Sequence, residues 1–184
     1  ATLERLEHAP PVAASPLAHP SQAPFPALTS HLFVQALQVR GQMAVMQGDY
    51  GTARHYLERA YNMCQDNAYG SSTFSYGSLV EQYSRALVAL SFRSEAVEIL
   101  ERSVTRIEVL FTKTHPQIVP LSLGLSWAYK EQGRTREAMA WAKRAAVVAH
   151  QSYTKFHPRR AEAQSAVAQV LMMQGQYEVA ADKL

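Results

Sequence analysis

Seven histidines and one cysteine are the side chains best suited to metal, acid–base or nucleophilic chemistry, so their spacing is the first test. The histidines are His8, His19, His31, His55, His115, His150 and His157. No two of them form the His-x3-His or His-Glu-x-x-His spacing that places ligands on one helix face, so no metal site is expected. A single cysteine excludes an intrachain disulfide or a thiolate cluster built by this chain alone. Cys64 has no histidine or cation beside it in sequence to activate it, and reads as a structural thiol. There is no Gly-x-Ser-x-Gly elbow and no Gly-rich phosphate loop. The sequence therefore predicts no enzyme, no catalytic residue and no cofactor.

Binding chemistry has more to work with. The net charge of +3 over 184 residues does not identify a nucleic-acid binder. Its distribution is uneven, however. Residues 130–160 hold eight Lys or Arg against two Glu, a local +6, and the remainder of the chain is at −3. Arg136, Lys143, Arg144, Lys155, Arg159 and Arg160 read as a basic edge. Three readings fit it: a solvated face, a contact for an acidic protein, or a contact for the phosphates of RNA or anionic lipid. The solvated face is the simplest and the acidic protein comes next. Trp141, Tyr153 and Phe156 are the aromatic residues there, and nothing in their spacing argues for base stacking.

The elements that position these side chains come in two kinds. Six of the nine prolines lie between Pro10 and Pro26, each removing an amide donor and biasing the preceding residue away from helix. Residues 1–30 read as a Pro-rich extended arm, with room for a short helix at 2–8. The arm is either a leader or a strip that lies along a partner or along the chain's own surface. From 31 to 184 only Pro116, Pro120 and Pro158 remain, and apolar residues recur at three- and four-residue steps. This part reads as all-α. No apolar run approaches the roughly 20 residues of a membrane span. The chain begins at Ala1 rather than Met, as a processed or trimmed product would, and an intracellular setting, cytoplasmic or organellar, is expected.

The helical part repeats itself. Gln132-Gly133 and Ala138 fall on Gln174-Gly175 and Ala180 at a shift of 42, and His115-Pro116 falls on His157-Pro158. One step back, Ala138 falls on Ala96 and Gly133 on Ser91. A further step of 43 brings in Gly48 and Ala53. This is the pattern of a helical hairpin. The small residues Gly41, Ser84, Ser126 and Ala168 sit where helix A approaches a neighbour, and the glycine ends helix A in a left-handed cap. The alanines Ala53, Ala96, Ala138 and Ala180 mark the crossing of helix B, and His-Pro starts the next helix A. Leu90-Ser91-Phe92 stands in place of the Gln-Gly turn in the second repeat, which leaves the geometry of that turn open. Gly70-Ser71-Ser72 and Tyr76-Gly77-Ser78 read as a polar linker.

With Leu125, Ser126, Tyr129, Gly133, Ala138 and Ala145 in the third unit, the array resembles tetratricopeptide (TPR) repeats, and its 42-residue period the kinesin-light-chain-type subclass. The resemblance implies a right-handed superhelical solenoid of antiparallel helix hairpins, about four of them, the last incomplete. More chain or a partner is expected over Val179, Ala180 and Leu184. The carboxylate clamp of some relatives is not supported: its positions carry Gln38 and Gln42, then Glu81 and Arg85, then Leu123 and Trp127. The same register turns Gln38, Gln42, Arg85, Trp127, Lys130, Gln169 and Met173 toward the concave groove, along with Glu131. Trp127 suits either partner contact or packing against the second repeat. The expected function is a protein-interaction scaffold or adaptor, or a peripheral subunit of a larger complex. It would bind another protein or a peptide segment, with an acidic one favoured by the basic edge. The alternative is an RNA- or ribonucleoprotein-associated helical repeat.

Overall fold

The computed structural model describes residues 26–66 and 76–181. Among these, eight α-helices follow one another: α1 (Pro26–Met46), α2 (Tyr50–Asp66), α3 (Tyr76–Ala89), α4 (Arg93–Leu110), α5 (Ile118–Glu131), α6 (Thr135–Ser152), α7 (Pro158–Met173) and α8 (Tyr177–Ala181). Each helix packs on the next, and α1, α3, α5 and α7 also touch one another in order. Four hairpins therefore stack as a solenoid, with the odd-numbered A helices on the inner side and the even-numbered B helices outside.

The small residues lie where the repeat places them. Gly41, Ser84, Ser126 and Ala168 are all buried. A Cβ on Gly41 would stand 2.5 Å from the Leu57 side chain, so helix A approaches helix B too closely there for a larger residue. Ala53, Ala96 and Ala138 are fully buried and Ala180 nearly so. The main core runs from Val34 and Leu37 on α1 to Val170 on α7. A smaller cluster of Ala142, Val167, Ala168, Leu171 and Ala180 closes the last hairpin.

Every A-to-B turn is the same Schellman motif. The amides of Gly48, Ser91, Gly133 and Gly175 donate to Val45, Val88, Lys130 and Met172, and the next amide in each donates to Ala44, Leu87, Tyr129 and Leu171. The second turn, whose geometry the sequence left open, is thus as regular as the others, and Ser91 sits at φ 73° to make it. A side chain in that left-handed region costs roughly 1 kcal/mol. Ser91→Gly is expected to stabilise the fold by about 0.5 kcal/mol, the relief outweighing the added freedom of the unfolded chain. A urea midpoint that failed to rise would contradict this.

The helix starts differ from expectation in two places. Tyr76-Gly77-Ser78 is the first turn of α3, not linker. Tyr76 is fully buried, with its hydroxyl 3.1 Å from that of Ser103, and a Cβ on Gly77 would lie 2.7 Å from the Gln117 carbonyl oxygen. Glycine there serves a backbone approach rather than a loop. Helix α1 starts at Pro26, inside the stretch read as arm, because proline is accepted in a first helical turn. The arm before Pro26, the suggested helix at 2–8, the linker Gly70-Ser71-Ser72 and Leu184 lie outside the described residues.

The two His-Pro junctions form matching rungs. Phe111 stacks on His115 at 4.3 Å and Tyr153 on His157 at 4.2 Å, one repeat further along. His157 caps α7, its Nδ1 accepting from the Arg159 amide at 3.1 Å, with Pro158 as the first helical residue. His115 accepts from the Gln117 amide at 3.3 Å, and one tight turn follows before α5 begins at Ile118. The Tyr153 hydroxyl donates to the Pro116 carbonyl at 3.3 Å and the Ser152 hydroxyl to that of Thr114 at 3.0 Å, tying one junction to the next.

Candidate protein-binding groove

The inner faces of the A helices enclose a cavity of about 650 Å³. Gln42 of α1, Arg85 of α3, Trp127 and Lys130 of α5 and Gln169 of α7 all line it. The Arg85 guanidinium lies over the Trp127 ring at 5.7 Å, and Lys130 donates to Gln169 at 3.1 Å. Trp127 is half-buried against the core and also lines the cavity. Gln38 is buried and Met173 is exposed at the C-terminal end of α7. Neither lines the cavity.

At the back of the groove stands an ion cluster that sequence reasoning missed. Arg159 donates to Glu81 at 3.0 Å, to Glu162 at 2.9 Å and to the Ser78 hydroxyl at 3.0 Å, spanning from α7 to α3. Burial pushes the Glu81 carboxyl above its usual range, while the charges of Arg159 and Arg85 pull it back down. Gln82 also lines the groove, and its Oε1 is buried without a donor among the described residues. Nothing in the sequence announces a contact between residues so far apart in the chain.

The six cations of the predicted basic edge do not form one surface. Arg159 lines the concave cavity, neutralised by Glu81 and Glu162. Arg144 pairs with Glu108 of the preceding B helix and covers the Trp141 ring. Lys143 and Arg160 share an outer slot between α6 and α7. Arg136 and Lys155 are exposed, with Lys155 near the Phe156 ring. The cations were grouped by sequence proximity, but successive helical positions point in different directions, which scatters them.

Among the described residues, no group of three His, Cys, Asp or Glu side chains is placed to hold a metal. No described helix is long and apolar enough to cross a membrane. Cys64 is buried, and desolvation raises its thiol to about 11 although Arg106 stands near enough to oppose the shift.

Superposition on solved structures gives matches in architecture. The nearly identical TPR-like repeats of a Podosopora anserina protein described as a kinesin light chain align with a TM-score of 0.67 at 21% identity. The alignment covers 82% of this chain and 71% of that one. A single-substitution variant of that protein aligns equally well over 70% of its length. The fold is that of kinesin-light-chain-type TPR-like repeats. BtubC (BKLC) from P. vanneervenii shares this TPR-like fold at a TM-score of 0.67 with 11% identity, over 84% of this chain and 61% of that one. No family model matches the sequence, and no curated protein does. The TPR-like array is thus recognised by its stacking, with few side chains in common.

Proposed function

We propose that this TPR-like array is a protein-interaction scaffold, without catalytic activity of its own, whose concave groove holds an extended segment of a partner protein. The observation that carries the reading is the convergence in one cavity of an Arg85–Trp127 pair with the polar side chains of Gln42, Lys130 and Gln169. Arginine and tryptophan are the side chains most often found at the energetic centre of interfaces. Lys130, held by Gln169, adds a cation that favours acidic side chains on the partner.

The test is capture of partners by the intact chain, repeated with Trp127→Ala and with Arg85→Ala. Each substitution is expected to weaken the same partner by about 2 kcal/mol, roughly 30-fold in Kd. A partner retained at full affinity by both variants would move binding out of the groove.

A further inference from the structure

In a stacked array each hairpin is held by its immediate neighbours. The inner helices keep to that rule, α3 packing on α5 and α5 on α7. One side chain does not. Arg159, the second residue of α7, reaches past α5 to α3, where it donates to Glu81 and to the Ser78 hydroxyl, each at 3.0 Å. The fourth hairpin is thereby tied directly to the second.

The internal repeat separates this contact from the ordinary one. One repeat earlier the position of Arg159 is Gln117, just ahead of α5. Gln117 Oε1 accepts from the Gly77 amide of α3 at 3.2 Å, which links adjacent hairpins. Arg159 is longer and two-headed, and it ends on the same first turns of α3 from one hairpin further away. Its partner is as particular: where α3 has Glu81, the other A helices have Gln38, Leu123 and Ser165. Each charge stands once at its position in the array, and the two meet.

Arg159 and Glu81 both line the concave cavity, with side chains only 23% and 12% exposed. Glu162, on the next turn of α7, holds the guanidinium from its own helix at 2.9 Å. Charge-assisted bonds between partners so withdrawn from water are short and strong. A tie on the inner face that skips one hairpin is a chord across the arc of the superhelix. Its length limits how far the A helices can slide and splay, the shear motion open to packed helices. We propose that the Arg159–Glu81 bridge is a latch that sets the width of the concave groove. The latch acts in the free protein, whatever the groove holds.

Spin labels on Gln35→Cys of α1 and Gln164→Cys of α7, both exposed positions, report that width by double electron–electron resonance on the full chain carrying Cys64→Ala. Arg159→Met is expected to lengthen the mean distance by at least about 2 Å, the scale of helix shifts at interfaces. Glu162→Gln is expected to leave it unchanged, because that bond lies within α7. Adding Glu81→Leu to Arg159→Met should restore stability, since no buried charge is left, but not the bridge. The longer distance should therefore persist in the double variant. Circular dichroism at the temperature of measurement checks that each variant is folded. An unchanged distance in Arg159→Met would overturn the proposal. So would a distance that returns along with Tm in the double variant, or an equal lengthening with Glu162→Gln.

Discussion

Arg159→Met is expected to lower the unfolding free energy by about 3 kcal/mol, the size seen when one partner of a buried ion pair is removed. For a chain of this length that corresponds to a fall of roughly 6–12 °C in Tm. The physical origin is Glu81, whose side chain is only 12% exposed and which loses its direct partner. Arg85 still acts on Glu81 through its charge, which keeps the loss near the lower end of the usual range. Because Arg159 joins α7 to α3, the last hairpin is expected to become protease-sensitive before the first. The double variant Glu81→Leu with Arg159→Met should recover most of the loss, since it leaves no buried charge. A Tm for Arg159→Met indistinguishable from that of the wild type would show that the cluster contributes little.

The same cluster gives stability a pH dependence of defined sign. Glu81 titrates above its unfolded value, chiefly through burial, so the folded protein holds that proton more tightly than the unfolded chain does. Its contribution is fully present below the unfolded pKa and is lost as pH rises through the folded value. Glu81→Gln removes that slope from urea midpoints measured between acidic and neutral pH.

The hairpins were legible in the sequence because each depends on local demands that recur in every repeat. A turn needs a left-handed residue, and a helix crossing needs a small one, so Gly133 and Ala138 carry their meaning at any position in the array. The concave residues Gln42, Arg85, Trp127, Lys130 and Gln169 followed from that register alone. What stayed hidden depends on contacts between distant repeats. Gly77 resembled linker because its constraint is a carbonyl at the start of the next hairpin, that of Gln117. Arg159 looked like one more surface cation because its partner, Glu81, lies two repeats back. Ser91 was a different case: its type left the turn open, and the two Schellman hydrogen bonds, Ser91 N–H to Val88 and Phe92 N–H to Leu87, hold it in the left-handed region.

Ala138→Leu is the decisive test of the register itself. Ala138 is fully buried on the first turns of α6, at the position that is alanine in all four repeats. Leucine adds three carbons where there is no free volume, and overpacking of this kind costs about 1–3 kcal/mol by forcing side chains off rotamer and helices apart. Because α6 packs on both α5 and α7, the strain reaches neighbouring hairpins, and in a stacked array each hairpin is stabilised mainly by its neighbours. The expected result is a loss of about 3 kcal/mol, with Tm down by roughly 6–12 °C. The third and fourth hairpins should lose amide protection together. Ala140→Leu, on the exposed side of the same helix, provides the control and should change stability by no more than about 0.5 kcal/mol. If the two variants melted alike, the alanine at 138 would not mark the crossing of helix B on helix A, and the alignment of the repeats would have to be shifted.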